Sequence, residues 1–397
     1  MSATETQADP GFMENFLDLA GKPAWLQRVA EISETIRNRT LGARAAQQRH
    51  AMELALARLC APSKEARSGD RAERCVTTFA REAVQLAANL PPGPRERFRE
   101  LLAAGLTGQA NLIPLFHMLR VAALQRSRGF EVHHAGLLDG AAFDLLIRRD
   151  GAEAEIVCDT MSAEEGRPLH RTGWCALVDR VNPDLHTWLS AHPGRYVLKM
   201  TLPEGLKAPD HVAELHRRIT AMLSARSRQD TDADAVLKLD PLLLAGAQAE
   251  LPSSLRAQFG PDAHLAVAGN PAGGSVFVLA ARSGRENDIA AAVCRRLVAA
   301  TERLSGTRPG ILSIFLDDLE PGEWRGLRDR LELEGAVRRF LTTAEARKVV
   351  AVTCASRMEL LEVQPPAGVA EGEMRYRNPS HPQAKLGPLQ PAIASSL

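Results

Sequence analysis

The chain has almost no net charge: 49 basic residues meet 48 acidic ones, and the formal charge is +1. No global field then steers it onto a polyanion, so any nucleic-acid contact has to come from a local patch. It also lacks paired cysteines. Cys60, Cys75, Cys158, Cys175, Cys294 and Cys354 are widely spaced, with no CxxC and no nearby metal-spaced histidines. That pattern argues against a zinc site and a disulfide framework, and it implies a reducing compartment. No run approaches 18 apolar residues, and the opening MSATETQADPGFMENFLDLA has no basic stretch followed by an apolar core. The expectation is a cytoplasmic protein with no membrane partner. GxSxG, HExxH and GK[ST] are missing as well, which removes the usual signatures of serine hydrolases, zincins and P-loop enzymes.

What is present is enough apolar material for a sizeable core: 397 residues, 45% of them hydrophobic, a length that fits two or three domains. Only seven of the 49 basic residues are lysines. The guanidinium fork of arginine suits phosphate, although coding bias produces the same composition.

Residues 1–107 read as a helical region, because segments such as WLQRVAEISETIRNRT and RHAMELALARLC repeat apolar residues at three- and four-residue spacing. Such a region is expected to pack, or to mediate a homodimer or another protein contact. From 108 to 230 the pattern becomes helix, three short strands, helix, strand, helix, with Gly129 closing the first helix. Residues 231–363 read as a further mixed α/β region, and 364–397, rich in Pro, Gly and Ser, as a flexible tail. The fold class expected is therefore α/β behind a helical N-terminal region.

Asp150-Gly151, between two β-rich runs, is a strong two-residue hairpin signal, and a type I′ turn there sets the register by arithmetic. Arg149 faces Ala152, Arg148 faces Glu153, Leu146 faces Glu155, Asp144 faces Val157 and Ala142 faces Asp159. Leu145, Ile147, Ala154, Ile156, Phe143 and Cys158 then share the other, core-facing side. A one-residue slip would bury the charges, so the alternation supports this pairing. Asp144 lies diagonally between Glu155 and Asp159, close enough for carboxylates to converge on one cation.

The order helix, three strands, helix, strand, with Asp144 on the second strand, resembles the restriction-endonuclease-like (PD-(D/E)xK) nuclease superfamily. It looks especially like a branch whose third strand reads ECK, followed by a serine and a Gly-Arg element. Here the matching residues are Val157-Cys158-Asp159, then Ser162 and Gly166-Arg167. A weaker likeness extends to RPGILSIFLDDL and to Asn378-Pro379-Ser380-His381-Pro382. The resemblance implies an αβββαβ core over 108–230 and phosphodiester hydrolysis of DNA or RNA, assisted by Mg²⁺ or Mn²⁺, in repair or defence.

The pattern departs from the family at two places, with Val157 where its glutamate stands and Asp159 where its lysine stands. Valine offers no lone pair to a hard cation, and aspartate for lysine reverses the charge that meets the scissile phosphate. Asp144, Glu155 and Asp159 are the candidate metal and catalytic residues. Lys199 on the next strand, or His170 or Arg171, is the candidate replacement cation. Arg167, Arg171, Arg217 and Arg218 are the candidate nucleic-acid contacts. Glu153 opposite Arg148 reads as a cross-strand pair, His133 and His134 as ordinary strand histidines, and Asp317-Asp318 as a solvated turn or helix start. GNPAGG at 269–274 reads as a hairpin loop. Two readings follow: a metal-dependent nuclease with a shifted site, or a catalytically inactive nuclease fold kept for binding or scaffolding.

Overall fold

The computed structural model describes residues 11–38, 40–60, 71–206, 209–242, 258–260, 263–270, 274–319, 321–357 and 373–396. The chain is mixed α/β and divides into two compact units. The first comprises residues 1–35, 47–163 and 290–397, and the second comprises 36–46 and 164–289. Among the described residues no helix is long and apolar enough to cross a membrane.

The first unit begins with helices α1 (Gly11–Ala20), α2 (Lys22–Arg37), α3 (Leu41–Arg49), α4 (Ala51–Cys60), α5 (Arg71–Asn89), α6 (Pro92–Gly105) and α7 (Ile113–Ser127), the last residues of α2 and the first of α3 belonging to the second unit. Gly129 ends α7 with φ of +85°, the left-handed conformation that glycine adopts without strain. Strand β1 (Glu131–His133), the short helix α8 (Ala135–Leu138), β2 (Leu145–Arg149) and β3 (Ala152–Ser162) follow. Asp150 and Gly151 both have positive φ, 48° and 77°, as a type I′ turn demands.

The chain then builds the second unit from α9 (Arg171–Ala191), β4 (Arg195–Leu202), α10 (Pro209–Ala225), β5 (Gln229–Thr231), β6 (Val236–Pro241), β7 (His264–Asn270) and β8 (Ser275–Ser283). It returns to the first unit through α11 (Ile289–Thr301), β9 (Gly310–Asp317), α12 (Pro321–Asp329), α13 (Glu332–Leu341), β10 (Val349–Ser356), β11 (Glu373–Arg377) and α14 (Gln390–Ile393).

The sheet of the first unit runs β1-β2-β3-β9-β10-β11. Its β1-β2-β3 meander is antiparallel, β3, β9 and β10 are parallel, and β11 closes the edge antiparallel to β10. All eight residues of β9 and of β10 are buried, as expected of central parallel strands covered on both faces. One face of this sheet, including Leu145, Ile147, Ile156, Ile311 and Phe315, joins a core with Phe16, Phe79, Phe98 and Phe116 from the helices. Leu145, Ile147 and Ile156 are fully buried, each contributing on the order of 2 kcal/mol of transfer free energy.

The second sheet runs β5-β6-β4-β8-β7. Leu198, Met200 and Leu202 of β4 face a core shared with Leu177, Val181, Leu185, Leu215 and Ile219 of α9 and α10. The alternate residues of β4, β6 and β8 occupy its other face.

These observations move the expected boundaries. The strand beside β3 is β9, whereas β4 belongs to the other sheet, so the stretch 108–230 is not one continuous core. The tail expected from 364 also differs: its residues 364–372 lie outside the described residues, but 373–396 carry β11 and α14 and bury Met374, Tyr376, Leu389, Ala392 and Ile393. Apolar residues spaced among the prolines and glycines give that segment an edge to pair with and a core to enter. Residues 271–273 of the GNPAGG run lie outside the described residues, while Asn270 and Ser275 on either side pair as the ends of antiparallel β7 and β8.

Candidate functional site

The β2-β3 register is the one the turn arithmetic gives, with Arg149 opposite Ala152, Arg148 opposite Glu153, Leu146 opposite Glu155 and Leu145 opposite Ile156. Asp144, just before β2, lies outside that register and donates its amide to the Ile156 carbonyl at 3.0 Å, one residue short of the Val157 partner that the arithmetic assigns it. Its carboxylate accepts the Cys158 amide at 2.7 Å. Glu153 and Glu155 therefore lie opposite the residues that the arithmetic gives them, and the partners of the four acids decide the chemistry.

Those partners are arginines and a serine from α11 and the loop after it. Arg303 Nη2 donates to both oxygens of Asp144 at 2.8 Å, and Arg303 Nε donates to the Ala142 carbonyl at 2.9 Å. Arg296 pairs with Asp159 at 2.8 Å through Nε and also donates to the Thr160 carbonyl. Glu155 is fully buried and accepts from the Ser305 amide at 2.9 Å, the Ser305 hydroxyl at 2.5 Å and Arg308 at 3.4 Å. Arg308 also holds Glu153, which Arg148 grips from its own strand.

Burial holds the Asp144 carboxyl above its ordinary range, with Arg303 and the Cys158 amide pulling it back down and Asp159 pushing the same way as burial. Donation from one guanidinium nitrogen to both oxygens nonetheless calls for the carboxylate form, since a protonated acid could not accept on both oxygens equally well. Glu153 is held below its ordinary range by Arg148 and then Arg308. Burial raises the Cys158 thiol well above the usual thiol range, so it is no nucleophile.

A divalent cation does not fit this arrangement. Asp144, Glu155 and Asp159 each turn to a separate partner, and the lone pairs a hard cation would need already accept from guanidinium or serine donors. Among the described residues no group of three or more His, Cys, Asp or Glu side chains converges as a metal site. Arg296 and Arg303 are seven residues apart, the first within α11 and the second two residues past its end at Thr301.

The other candidate cations lie elsewhere. Lys199 is on β4 in the second unit, paired with Asp240 at 2.9 Å, and does not share a sheet with Asp144. Arg167 is 3% exposed and bound to Glu164, whose second oxygen accepts the Arg171 amide. His170 is the N-cap residue of α9. Arg218 is 7% exposed and tied to Asp230 and Asp232, whereas exposed Arg217 pairs with Glu214 one turn earlier. Arg167 and Arg218 thus neutralise carboxylates within the fold instead of offering a phosphate-facing patch.

A second polar cluster gathers at the carboxyl ends of β3, β9 and β10. Arg357, 2% exposed, reaches Asp317 at 3.2 Å and Asp318 at 3.3 Å, and donates to the Gln48 carbonyl at 2.6 Å. Ser162 donates to Asp318 at 2.6 Å, and Asn111 to Asp317 at 3.2 Å. Burial raises the Asp317 carboxyl, opposed by Arg357. The expected solvated turn is thus a buried clamp across three strand ends. Two adjacent carboxylates look solvated in a sequence because the arginine that compensates them is 39 residues away.

His133 pairs with Asp139 at 2.6 Å, and His134 is buried as the N-cap of α8. No family model matches the chain, and neither does any curated protein or any solved structure.

Proposed function

We propose that this chain is a nuclease-like fold kept as a binding or scaffolding module, without phosphodiester hydrolysis at the β2-β3 hairpin. The observation that carries the reading is the occupation of the hairpin acids by Arg303 and Arg296, where a metal-dependent nuclease would keep carboxylate oxygens open to a cation. Among the described residues no lysine on the same sheet takes the lysine role, since Asp159 fills its place in sequence and Lys199 pairs in the second unit.

The proposed likeness to a restriction-endonuclease-like core now rests on a different set of elements. Helix α7, the β1-β2-β3 meander, helix α11 and strand β9 parallel to β3 follow the αβββαβ order, with residues 164–289 inserted between β3 and α11. This order supports a nuclease-like descent, while the arginine-filled face supports loss of cleavage. Fold alone assigns no activity, and the site argues against it.

The test is an assay of the full chain on single- and double-stranded DNA and RNA with Mg²⁺ or Mn²⁺, beside an Asp144→Ala variant. The expected result is no cleavage by either protein above a metal-free control. Metal-dependent cleavage by the wild type that Asp144→Ala abolishes would overturn the proposal.

A further inference from the structure

The face of the second sheet turned away from α9 and α10 carries an unusual juxtaposition. Lys199 of β4 and Lys238 of β6 stand directly opposite one another in the antiparallel register. Two of the chain's seven lysines thus meet on one strand pair. Like charges in that position, with Cβ atoms roughly 5 Å apart, destabilise a sheet. Asp240, two residues from Lys238, takes Lys199 at 2.9 Å. Lys238 is exposed and has no acidic partner among the described residues.

Arg282 of β8 adds a third cation, opposite Thr201 in the parallel register and donating to its hydroxyl at 3.4 Å. These residues line a cavity of about 800 Å³ in the second unit, within the range of small-molecule sites. Among the described residues its lining holds three cations and one carboxylate, a surplus of two positive charges. Gln229, opposite Lys238 on the edge strand, contributes an amide. Val236 and Phe259 add apolar surface, and Phe259 packs on the small core of Val197, Val278 and Ala280.

We propose that this cavity binds a phosphate ester of nucleotide size, with the phosphate between Lys199, Lys238 and Arg282 and the apolar part of the ligand along Val236 and Phe259. An anion relieves the facing lysines, which accounts for a cross-strand pair that otherwise costs stability. A cavity of this size with one aromatic side chain among the described lining residues suits one phosphorylated small molecule better than a polynucleotide, which needs a longer basic track and successive stacking surfaces. This site lies in the second unit and does not rest on the reading of the β2-β3 hairpin.

Calorimetric titration of the full chain with a nucleoside 5′-monophosphate, a nucleoside 5′-diphosphate, inorganic pyrophosphate and a single-stranded oligonucleotide tests it. The nucleotides are expected to bind saturably, with Lys238→Gln and Arg282→Gln each weakening them at least tenfold. Without ligand, Lys238→Gln should melt at or above the wild-type temperature, because it removes the like-charge pair; its fold is thereby checked in the same experiment. The nucleoside diphosphate should raise the melting temperature of the wild type and leave that of Lys238→Gln nearly unmoved. Absence of saturable nucleotide binding at millimolar concentration would overturn the proposal. Nucleotide affinity in both variants equal to that of the wild type, or an oligonucleotide binding more tightly than the nucleotides, would do the same.

Discussion

Replacing Arg303 with alanine leaves the Asp144 carboxylate with the Cys158 amide as its remaining donor and frees the Ala142 carbonyl. Breaking a fully buried ion pair costs about 3–5 kcal/mol, whereas an exposed pair is worth under about 1 kcal/mol. The Asp144 side chain is 21% exposed and that of Arg303 is 37% exposed, so solvent screens much of the interaction. The expectation after that discount is a local loss of about 1–3 kcal/mol.

Because a two-unit chain need not unfold in one step, the loss is best read by hydrogen exchange at the amides of residues 144–159. It should accelerate exchange there by about 5- to 150-fold, since 1.4 kcal/mol is a factor of ten. Asp144→Ala alone and the double variant Asp144→Ala/Arg303→Ala complete a cycle. The double variant should lose clearly less protection than the two single losses added together. Additive losses, or unchanged protection in Arg303→Ala, would refute the claim that this guanidinium stands in for a cation at the hairpin.

Burial lowers the His117 pKa to about 3, against a hydrogen bond to the Ser313 carbonyl, and lowers that of His134 to about 4. Both histidines are neutral when folded and protonate near pH 6.5 when unfolded, so their contribution is fully present above that pH and is lost as pH falls towards 4. Each adds a slope of up to about 1.4 kcal/mol per pH unit. Asp144 and Asp317, whose pKa values are raised, act with the opposite sign, gaining stability as pH falls towards 3.8. Urea unfolding at several pH values should therefore show His117→Gln with a shallower loss than wild type by about one proton; parallel curves would refute the assignment. Gly205→Ala should destabilise the second unit by at least about 2 kcal/mol, because φ is +79° and a Cβ would lie 1.9 Å from the Pro168 carbonyl oxygen. A melting temperature equal to wild type would contradict that. Arg218→Ala should cost about 1–2 kcal/mol through its carboxylate partners, while Arg217→Ala should leave the melting temperature unchanged. The reverse order would restore Arg218 as a surface cation.

Much of the hairpin was legible in the amino-acid order alone. Asp150-Gly151 and the alternation of Glu153 and Glu155 with Ala152, Ala154 and Ile156 gave turn type and register, because hairpin pairing is local and a slip reverses every side chain. The next strand was not legible. GILSIFLD at β9 is uncharged and largely apolar up to Asp317, the mark of a central parallel strand, whereas RYVLKMTL at β4 is interrupted by Lys199. That difference favours β9 beside β3, but the shorter connection to β4 competes with it. The polar clusters were hidden for the same reason: Arg303 lies 159 residues from Asp144 and Arg357 lies 39 from Asp318.

The sequence by itself determined the α/β class, the turn, the register and the presence of four acids on one side of a hairpin. These depend on side-chain period and local backbone conformation, which neighbours in the chain control. Only the tertiary structure decided that β9 completes the sheet, that residues 164–289 form a unit of their own, and that Arg296 and Arg303 cover the acids. Those outcomes depend on which distant surfaces bury each other, and a carboxylate has the same local sequence whether a cation or a guanidinium comes to rest against it.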